Sequence, residues 1–519
     1  MSIGVIPNAQ ETSRRNQGSL ATIADYVQGL MSGPNLIRVS WFFYLPLALT
    51  GGIIGGLALP SGGALMIVVA LALLWTIAQS PCLAGLWAAT NVLISHRWLL
   101  DLHPLDWVGV PAMLSLPLVL FLWIFCALAA AVFVGFWAWI GCCLPGRGML
   151  LHASGMAAMW GIGEVLLART PLYWIGVESA LLPGRCVLTS IARLVGGGGL
   201  AAVLVLLGWW LWRLVGSPQN HRIRTLCLLV LLILTVAPSL QILSGWIPRS
   251  PVVTGQLRMA TWQPSVPTRL KFSKEELQRL PRRLQDALDQ AVTLGATVLI
   301  APEGTLLEGQ DLVAPSPLPL LTGGFRWFHG EQRSSLLLVP EGQQRPYPLV
   351  DKHRLVPLGE WLPSLPIDLG IGLSAVGGLQ PGAPSRAFHW SGPAAAVAIC
   401  YEISDGSALA SAVNAGATWL LTIANLDPYP LLLQRQFLAE AALRAIENGR
   451  DLLSVANTGP TAHVTSDGAV VTLLRPLQEG IAITSLNLHQ STTLYTCWRE
   501  LPLLVLLFTG ICGTLVQTN

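Results

Sequence analysis

Long, almost unbroken apolar stretches fill the first half of the chain, and short apolar runs separated by polar, helix-like segments fill the second. A helix that crosses a bilayer needs about 20 apolar residues, and runs of that kind fall near 41–59, 62–79, 81–96, 115–140, 149–168, 190–212, 224–243 and 500–516. Pro60 and Pro81 are the only punctuation between the first three. The run 81–96 also fits a re-entrant or interfacial segment, and 115–140 is long enough to tilt or to begin at the interface. The pattern predicts an N-terminal segment at 1–38, seven membrane helices over 39–245 and an eighth at 500–516.

From about residue 254 the period changes. Gln256–Gln263, Thr297–Ala301, Ser335–Val339, Ala394–Ile399 and Thr418–Ile423 read as short strands, several of them apolar throughout, as in a sheet covered on both faces. Ser273 to Leu294 reads as an amphipathic helix, with Ser273 as N-cap and Glu276 completing a capping box. Leu431–Asn448 reads as a helix that ends at Gly449, a residue suited to a C-cap. Alternation of this kind predicts an α/β domain over 254–490, its sheets covered by helices.

Composition sharpens the division. The 519 residues are 53% hydrophobic and only 11% charged, against about 25% charged in a typical soluble domain. Only six of the 27 acids precede residue 250, and the three lysines, Lys271, Lys274 and Lys352, all follow it. The 51 Gly and 36 Pro are scattered among apolar runs, which excludes collagen-like and disordered chains. A net charge of +3 gives no nucleic-acid footprint. Positive charge favours cytoplasmic loops. An N-terminus on the inside places Arg14, Arg15, Arg38, Arg147, Arg213, Arg222 and Arg224 there, and delivers the α/β domain to the outer side. A polar stretch of some forty residues precedes the first apolar run, so no cleavable signal peptide is read.

Most of the nine cysteines lie in or beside apolar runs, where Cys acts as a small hydrophobe. No HExxH or CxxC occurs, so neither a metal site nor a cofactor is expected. Three element boundaries carry chemistry instead. One strand runs into Ala301-Pro302-Glu303-Gly304. A second polar group is Asp351-Lys352-His353-Arg354-Leu355-Val356-Pro357-Leu358-Gly359-Glu360. The most apolar strand ends in Cys400-Tyr401-Glu402. Strand ends line the functional crevice of α/β sheets, and a carboxylate, an ammonium and a thiol gathered there supply a base, a charge stabiliser and a nucleophile. Singly, each has a plainer reading: Glu303 caps a turn, Lys352 decorates a solvated loop, Cys400 is an inert buried thiol and His353 is a hydrogen-bonded structural residue. Glu164, inside an apolar run, is either a functional carboxylate or the partner of Arg169.

Residues 256–490 resemble the nitrilase superfamily in Pro302-Glu303-Gly304, Cys400-Tyr401-Glu402 and Arg444-Ala445-Ile446-Glu447-Asn448-Gly449-Arg450. With seven spans before and one after, residues 35–516 are similar to the branch of that superfamily that acylates apolipoproteins in the membrane. The resemblance implies an αββα sandwich, with Glu303 as general base, Lys352 as oxyanion stabiliser and Cys400 as nucleophile. Glu360 and Glu402 match two further glutamates of the branch, Tyr401 follows the nucleophile as expected, and Trp246 falls where a tryptophan is kept, although it also fits an interfacial belt. The implied reaction moves a fatty acyl chain from a membrane phospholipid, through a thioester, to the α-amine of a diacylglyceryl-modified apolipoprotein. A membrane-tethered amidase using water is the alternative. The chain departs from the branch at Asn425-Leu426-Asp427-Pro428-Tyr429-Pro430, at Leu358, and at His353, one position from the usual histidine.

Overall fold

In the computed structural model, residues 41–105, 110–171, 173–216, 252–271, 273–307, 309–356, 359–360 and 378–517 are described. The apolar run 224–243 and Trp246 lie outside them. The remaining apolar runs are helical: α1 (Trp41–Ala58), α2 (Ala64–Ile77), α3 (Pro81–Ser95), α4 (Ala112–Cys143), α5 (Leu150–Ala168), α6 (Ala192–Gly216) and a C-terminal helix (Leu501–Gln517). Pro81 opens α3 at its first position, where the missing N–H costs nothing. By length and composition, α4, α5 and α6 are each sufficient to cross a membrane. Helix α2 has 14 residues, a rise of about 21 Å, so the stretch read as a span at 62–79 yields a helix shorter than the hydrocarbon core. Trp75, Trp137 and Trp160 pack edge to face inside the bundle, with centroids 5.2 and 5.4 Å apart. Phe121, Ile124, Phe125, Leu128, Val132 and Phe136 leave one side of α4 bare and apolar, as a lipid-facing surface requires.

The second half folds as β1 (Val253–Gln263), α7 (Lys274–Thr293), β2 (Val298–Ile300), β3 (Leu320–Phe328), β4 (Glu331–Val339), β5 (Tyr347–Asp351), β6 (Ala387–Phe388), β7 (Ala395–Ile399), α8 (Gly406–Asn414), β8 (Trp419–Ala424), α9 (Leu431–Asn448), β9 (Leu452–Ala456), β10 (Thr461–Val464), β11 (Val470–Leu474) and β12 (Gly480–His489). Two six-stranded sheets result, ordered β12-β1-β2-β3-β4-β5 and β11-β10-β9-β8-β7-β6. Each has parallel strands at its centre, β1-β2-β3 in one and β7-β8-β9 in the other. Their inner faces share one core, in which Met259, Ile300 and Leu336 meet Val397, Ile423 and Val455. Leu280, Leu284 and Leu288 of α7 cover the outer face of the first sheet, and α8 and α9 pack against β7 and β9. The layers are an αββα sandwich, and burial on both faces is why its central strands are apolar throughout.

The helix caps correct one expectation. Ser273 Oγ accepts the N–H of Glu276 at 3.2 Å, but the Glu276 carboxylate takes Arg283 Nη1 at 2.7 Å. An ion pair within the helix thus replaces the second half of the capping box. Gly449 ends α9 in the left-handed conformation, as its sequence position predicts.

Candidate active site

Glu303 leaves the end of β2 in a turn that the neighbouring strand shapes. Gly323 of β3 donates its N–H to Pro302 O at 3.2 Å and accepts the N–H of Thr305 at 2.9 Å. A Cβ on Gly323 would stand 2.4 Å from Glu303 Cα, so the backbone approach that sets the carboxylate demands glycine. Glu303 Oε1 accepts Lys352 Nζ at 2.8 Å and Oε2 accepts the N–H of Asn425 at 3.2 Å.

Lys352 follows β5 directly, its N–H donated to Ser334 O at 2.8 Å. Its side chain is 1% exposed, and its ammonium sits between Glu303 and Glu360, at 2.8 and 2.7 Å. The reading of a solvated loop lysine is therefore wrong. Burial works against the charge, but the two carboxylates outweigh it and hold the ammonium well above its ordinary pKa. Glu360 Oε2 accepts the N–H of Val356 at 2.9 Å, which closes the loop around the lysine. Burial pushes the Glu360 carboxyl up, opposed by Lys352 and aided by Glu303.

Cys400 ends the fully buried β7 and opens a one-turn 3₁₀ helix, Cys400–Ser404. It is partly buried, with φ +53, a left-handed conformation that a non-glycine residue adopts only when its surroundings impose it. Burial and the Glu303 charge raise the thiol, with Lys352 pulling the other way, so the net effect keeps the proton on sulfur.

The other expected residues take different parts. Glu402 is buried, with both oxygens bonded: Arg386 Nη1 reaches each at 2.8 Å, Oε1 also accepts the N–H of His353 at 2.7 Å and of Arg354 at 3.2 Å, and Oε2 that of Ile399 at 2.9 Å. It clasps the lysine loop to the end of β7. Tyr401 turns toward the membrane half, donating its hydroxyl to Thr170 O. His353 Nδ1 bonds Gly382 O at 2.7 Å.

Several residues at the site carried no sequence signal. Arg386 lies far from every motif. Lys271 reaches Glu303 O at 3.3 Å, and burial lowers it to about 8. The departing segment 425–430 proves to be a brace. Asn425 Nδ2 donates to Thr268 Oγ1 at 2.8 Å, Asn425 Oδ1 accepts Asn457 Nδ2 at 2.6 Å, and Asp427 Oδ2 accepts the N–H of Thr268 at 2.6 Å. Tyr429, Trp98, Tyr173 and Tyr401 then form a chain of ring contacts, at 5.9, 6.2 and 6.1 Å, from this brace to the residue after Cys400. Glu164 does not pair with Arg169. Its Oε1 accepts Trp160 Nε1 at 2.9 Å and the N–H of Val177 at 3.1 Å, whereas Arg169 turns to Glu500 at 3.1 Å and Asp405 at 3.8 Å. Glu164 lines a cavity with Glu178, Glu440, Arg444 and Glu447.

An αββα sandwich with a carboxylate, an ammonium and a thiol at its strand ends, joined to apolar helices of which three are long enough to cross a membrane, is the arrangement that the sequence resemblance implies. No family model matches the chain. It is 53% identical over 473 residues to the apolipoprotein N-acyltransferase of Prochlorococcus marinus (strain MIT 9313), covering 89% of this chain and 94% of that one. It is 50% identical over 454 residues to the apolipoprotein N-acyltransferase of Parasynechococcus marenigrum (strain WH8102), covering 86% and 96%. The chain belongs to the apolipoprotein N-acyltransferase family. Among solved structures, Saccharomyces cerevisiae Nit3, a member of branch 10 of the nitrilase superfamily, matches 46% of this chain and 93% of its own at 14% identity and a TM-score of 0.34.

Proposed function

We propose that the protein is an acyltransferase of lipoprotein maturation, which moves a fatty acyl chain from a membrane phospholipid to the α-amine of a diacylglyceryl-cysteine at the N-terminus of an apolipoprotein. The observation that carries this reading is a buried ammonium held between two carboxylates beside a strand-end thiol. A protonated thiol is a weak nucleophile, so Glu303 takes the proton as Sγ attacks the ester carbonyl. The negative charge that develops on the carbonyl oxygen is offset by Lys352, a role worth about 2.7–4 kcal/mol for one such donor elsewhere. Collapse breaks the C–O bond, and the lysophospholipid leaves with the proton from Glu303. In the second half the α-amine attacks the thioester carbonyl and gives its proton to Glu303. The C–S bond breaks and Cys400 recovers that proton.

Membrane helices over 39–245 and 500–516, in a bacterial cytoplasmic membrane, would hold the domain at 254–490 against the outer leaflet, where both substrates are anchored. Apolar surroundings keep water from the thioester. The test is Cys400→Ser in the full-length protein, incubated with phospholipid and a diacylglyceryl lipopeptide. Intact-mass analysis of the native chain should show one added acyl group, and the serine variant none above background. N-acyl transfer by the serine variant would refute the reading, and fatty acid release without amide formation would replace it with a hydrolase.

A further inference from the structure

The strand-end loops of the site are fastened to the end of an apolar helix by three side chains, and the lysine loop by Arg354. Helix α5 ends at Ala168, and carbonyls at a helix end lack intrahelical partners. Arg354, two positions after Lys352, sends Nη2 to Ala168 O at 2.8 Å and to Thr170 O at 3.2 Å. The same nitrogen lies 3.2 Å from Tyr401 Oη, and Nη1 donates to Ser404 Oγ at 3.0 Å. The guanidinium also stacks on the Tyr401 ring, 4.7 Å from its centroid. Tyr401 and Ser404 repeat the attachment: the Tyr401 hydroxyl donates to Thr170 O, and Ser404 Oγ donates to Ala168 O at 3.1 Å. These two residues lie in the turn that Cys400 opens.

We propose that Arg354 is a positioning residue of the acyl transfer reaction, one that clamps the lysine loop and the nucleophile turn together onto the end of α5. The proposal rests on the acyltransferase reading for its kinetic consequence, though not for its geometry. A planar guanidinium is suited to it, because its fixed fork serves several carbonyl and hydroxyl oxygens at once while its face covers a ring. Charge-assisted bonds make each contact stronger than a neutral one. Without the Arg354 side chain, Glu402 still joins the lysine loop to the nucleophile turn, but the lysine loop loses its own bonds to the end of α5 and the turn loses the bond that Ser404 accepts. Misplacement of reacting groups by about 1 Å costs on the order of a hundredfold in rate.

The experiment uses the full-length protein in detergent or nanodiscs, as Arg354→Ala, Arg354→Lys, Tyr401→Phe and the Arg354→Ala/Tyr401→Phe double variant. Arg185→Ala, which removes an exposed pair with Asp467 away from these loops, is the control. For each we would measure kcat and KM with phospholipid donor and lipopeptide acceptor, the melting temperature, and the rate of Cys400 alkylation by peptide mapping. Arg354→Ala should lower kcat by about tenfold or more with KM within about twofold. Arg354→Lys should recover part of the loss, and the double variant should fall short of the product of the two single effects. Cys400 should alkylate faster once the turn is released, and the control should match the native chain. Native kcat in Arg354→Ala, a loss confined to KM, or multiplicative single effects would overturn the proposal. Should Arg354→Ala not accumulate, Arg354→Lys decides: lowered kcat at an unchanged melting temperature supports the clamp, and native kcat rejects it. A native chain without acyl transfer would defeat the functional reading alone, since the alkylation rates still decide the clamp: faster alkylation in the variants upholds it and equal rates reject it.

Discussion

Lys352 is surrounded more strictly than a lysine needs to be for charge alone. Two carboxylates fix its ammonium from two directions, and its side chain is 1% exposed. Lys352→Arg keeps the charge but inserts a larger, planar group into a filled space, where overpacking costs about 1–3 kcal/mol. The expected outcome is loss of thioester formation by about two orders of magnitude with a lowered melting temperature, read by intact mass and calorimetry on one preparation. Native rates in the arginine variant would show that no compact point charge is required. Glu303 and Cys400 were legible in sequence because each stands at the end of an apolar strand, where period and polarity change together, whereas Lys352, after the half-exposed β5, was singled out by the resemblance. Gly323 and Asn425 were not. One matters for the atom it lacks and the other for a backbone N–H given to Glu303, and neither leaves a trace in a pattern of side chains.

Elements show the same division. The run Gly196–Gly199 reads as part of one long span, yet α6 breaks at Gly196, with φ 71 and ψ −177. A Cβ there would lie 2.3 Å from the Tyr495 ring. The N–H of Gly197, freed by the break, donates to Glu447 Oε1 at 2.7 Å. Helix α9 of the α/β domain thus packs against α6 with a row of acids, and Arg444 meets Glu447 at 3.3 Å and Glu440 at 3.6 Å. Burial pushes the Glu440 carboxyl up to about 8 and that of Glu447 to about 7, against the pull of Arg444. Both bind a proton more tightly folded than unfolded. The stability they contribute is complete below the unfolded pKa of about 4.3 and is lost as pH rises through 7 and 8. Glu440→Gln keeps the shape without the titration. Between pH 6 and 9 its stability should gain on the native chain by roughly 1 kcal/mol or more, seen as a melting-temperature difference that widens with pH. A difference that stays flat or reverses would mean that Arg444 requires an ionised Glu440.

At the scale of the whole molecule, the basic residues make a topological prediction that does not depend on the chemistry. The Arg-rich loops are read as cytoplasmic, so an alkaline phosphatase fused after Pro248 should be active and one fused after Arg222 inactive. The opposite pattern would put the α/β domain in the cytoplasm, out of reach of exported lipoproteins. The geometry adds a reason for the two halves to share one chain. Arg354, Tyr401 and Ser404 bond the end of α5, and Tyr429 meets Trp98 edge to face, so the site is framed by the apolar helical half as well as by its own sheets.

The sequence by itself determined the division into apolar helices and an α/β domain, the αββα layering through the family resemblance, and the residues Glu303, Lys352, Glu360 and Cys400. The division follows from periodicity and burial-driven composition, which are local along the chain, whereas the parts given to Glu303, Lys352, Glu360 and Cys400 are what the resemblance implies. Tertiary structure alone decided that Glu402 is a fully bonded clasp with Arg386, that Arg169 faces Glu500 and not Glu164, and that Arg354 ties the site to α5. Hydrogen bonds and ion pairs of this kind join residues up to hundreds of positions apart, and each depends on distances of about 3 Å. Such distances are set only when packed layers bring the segments together.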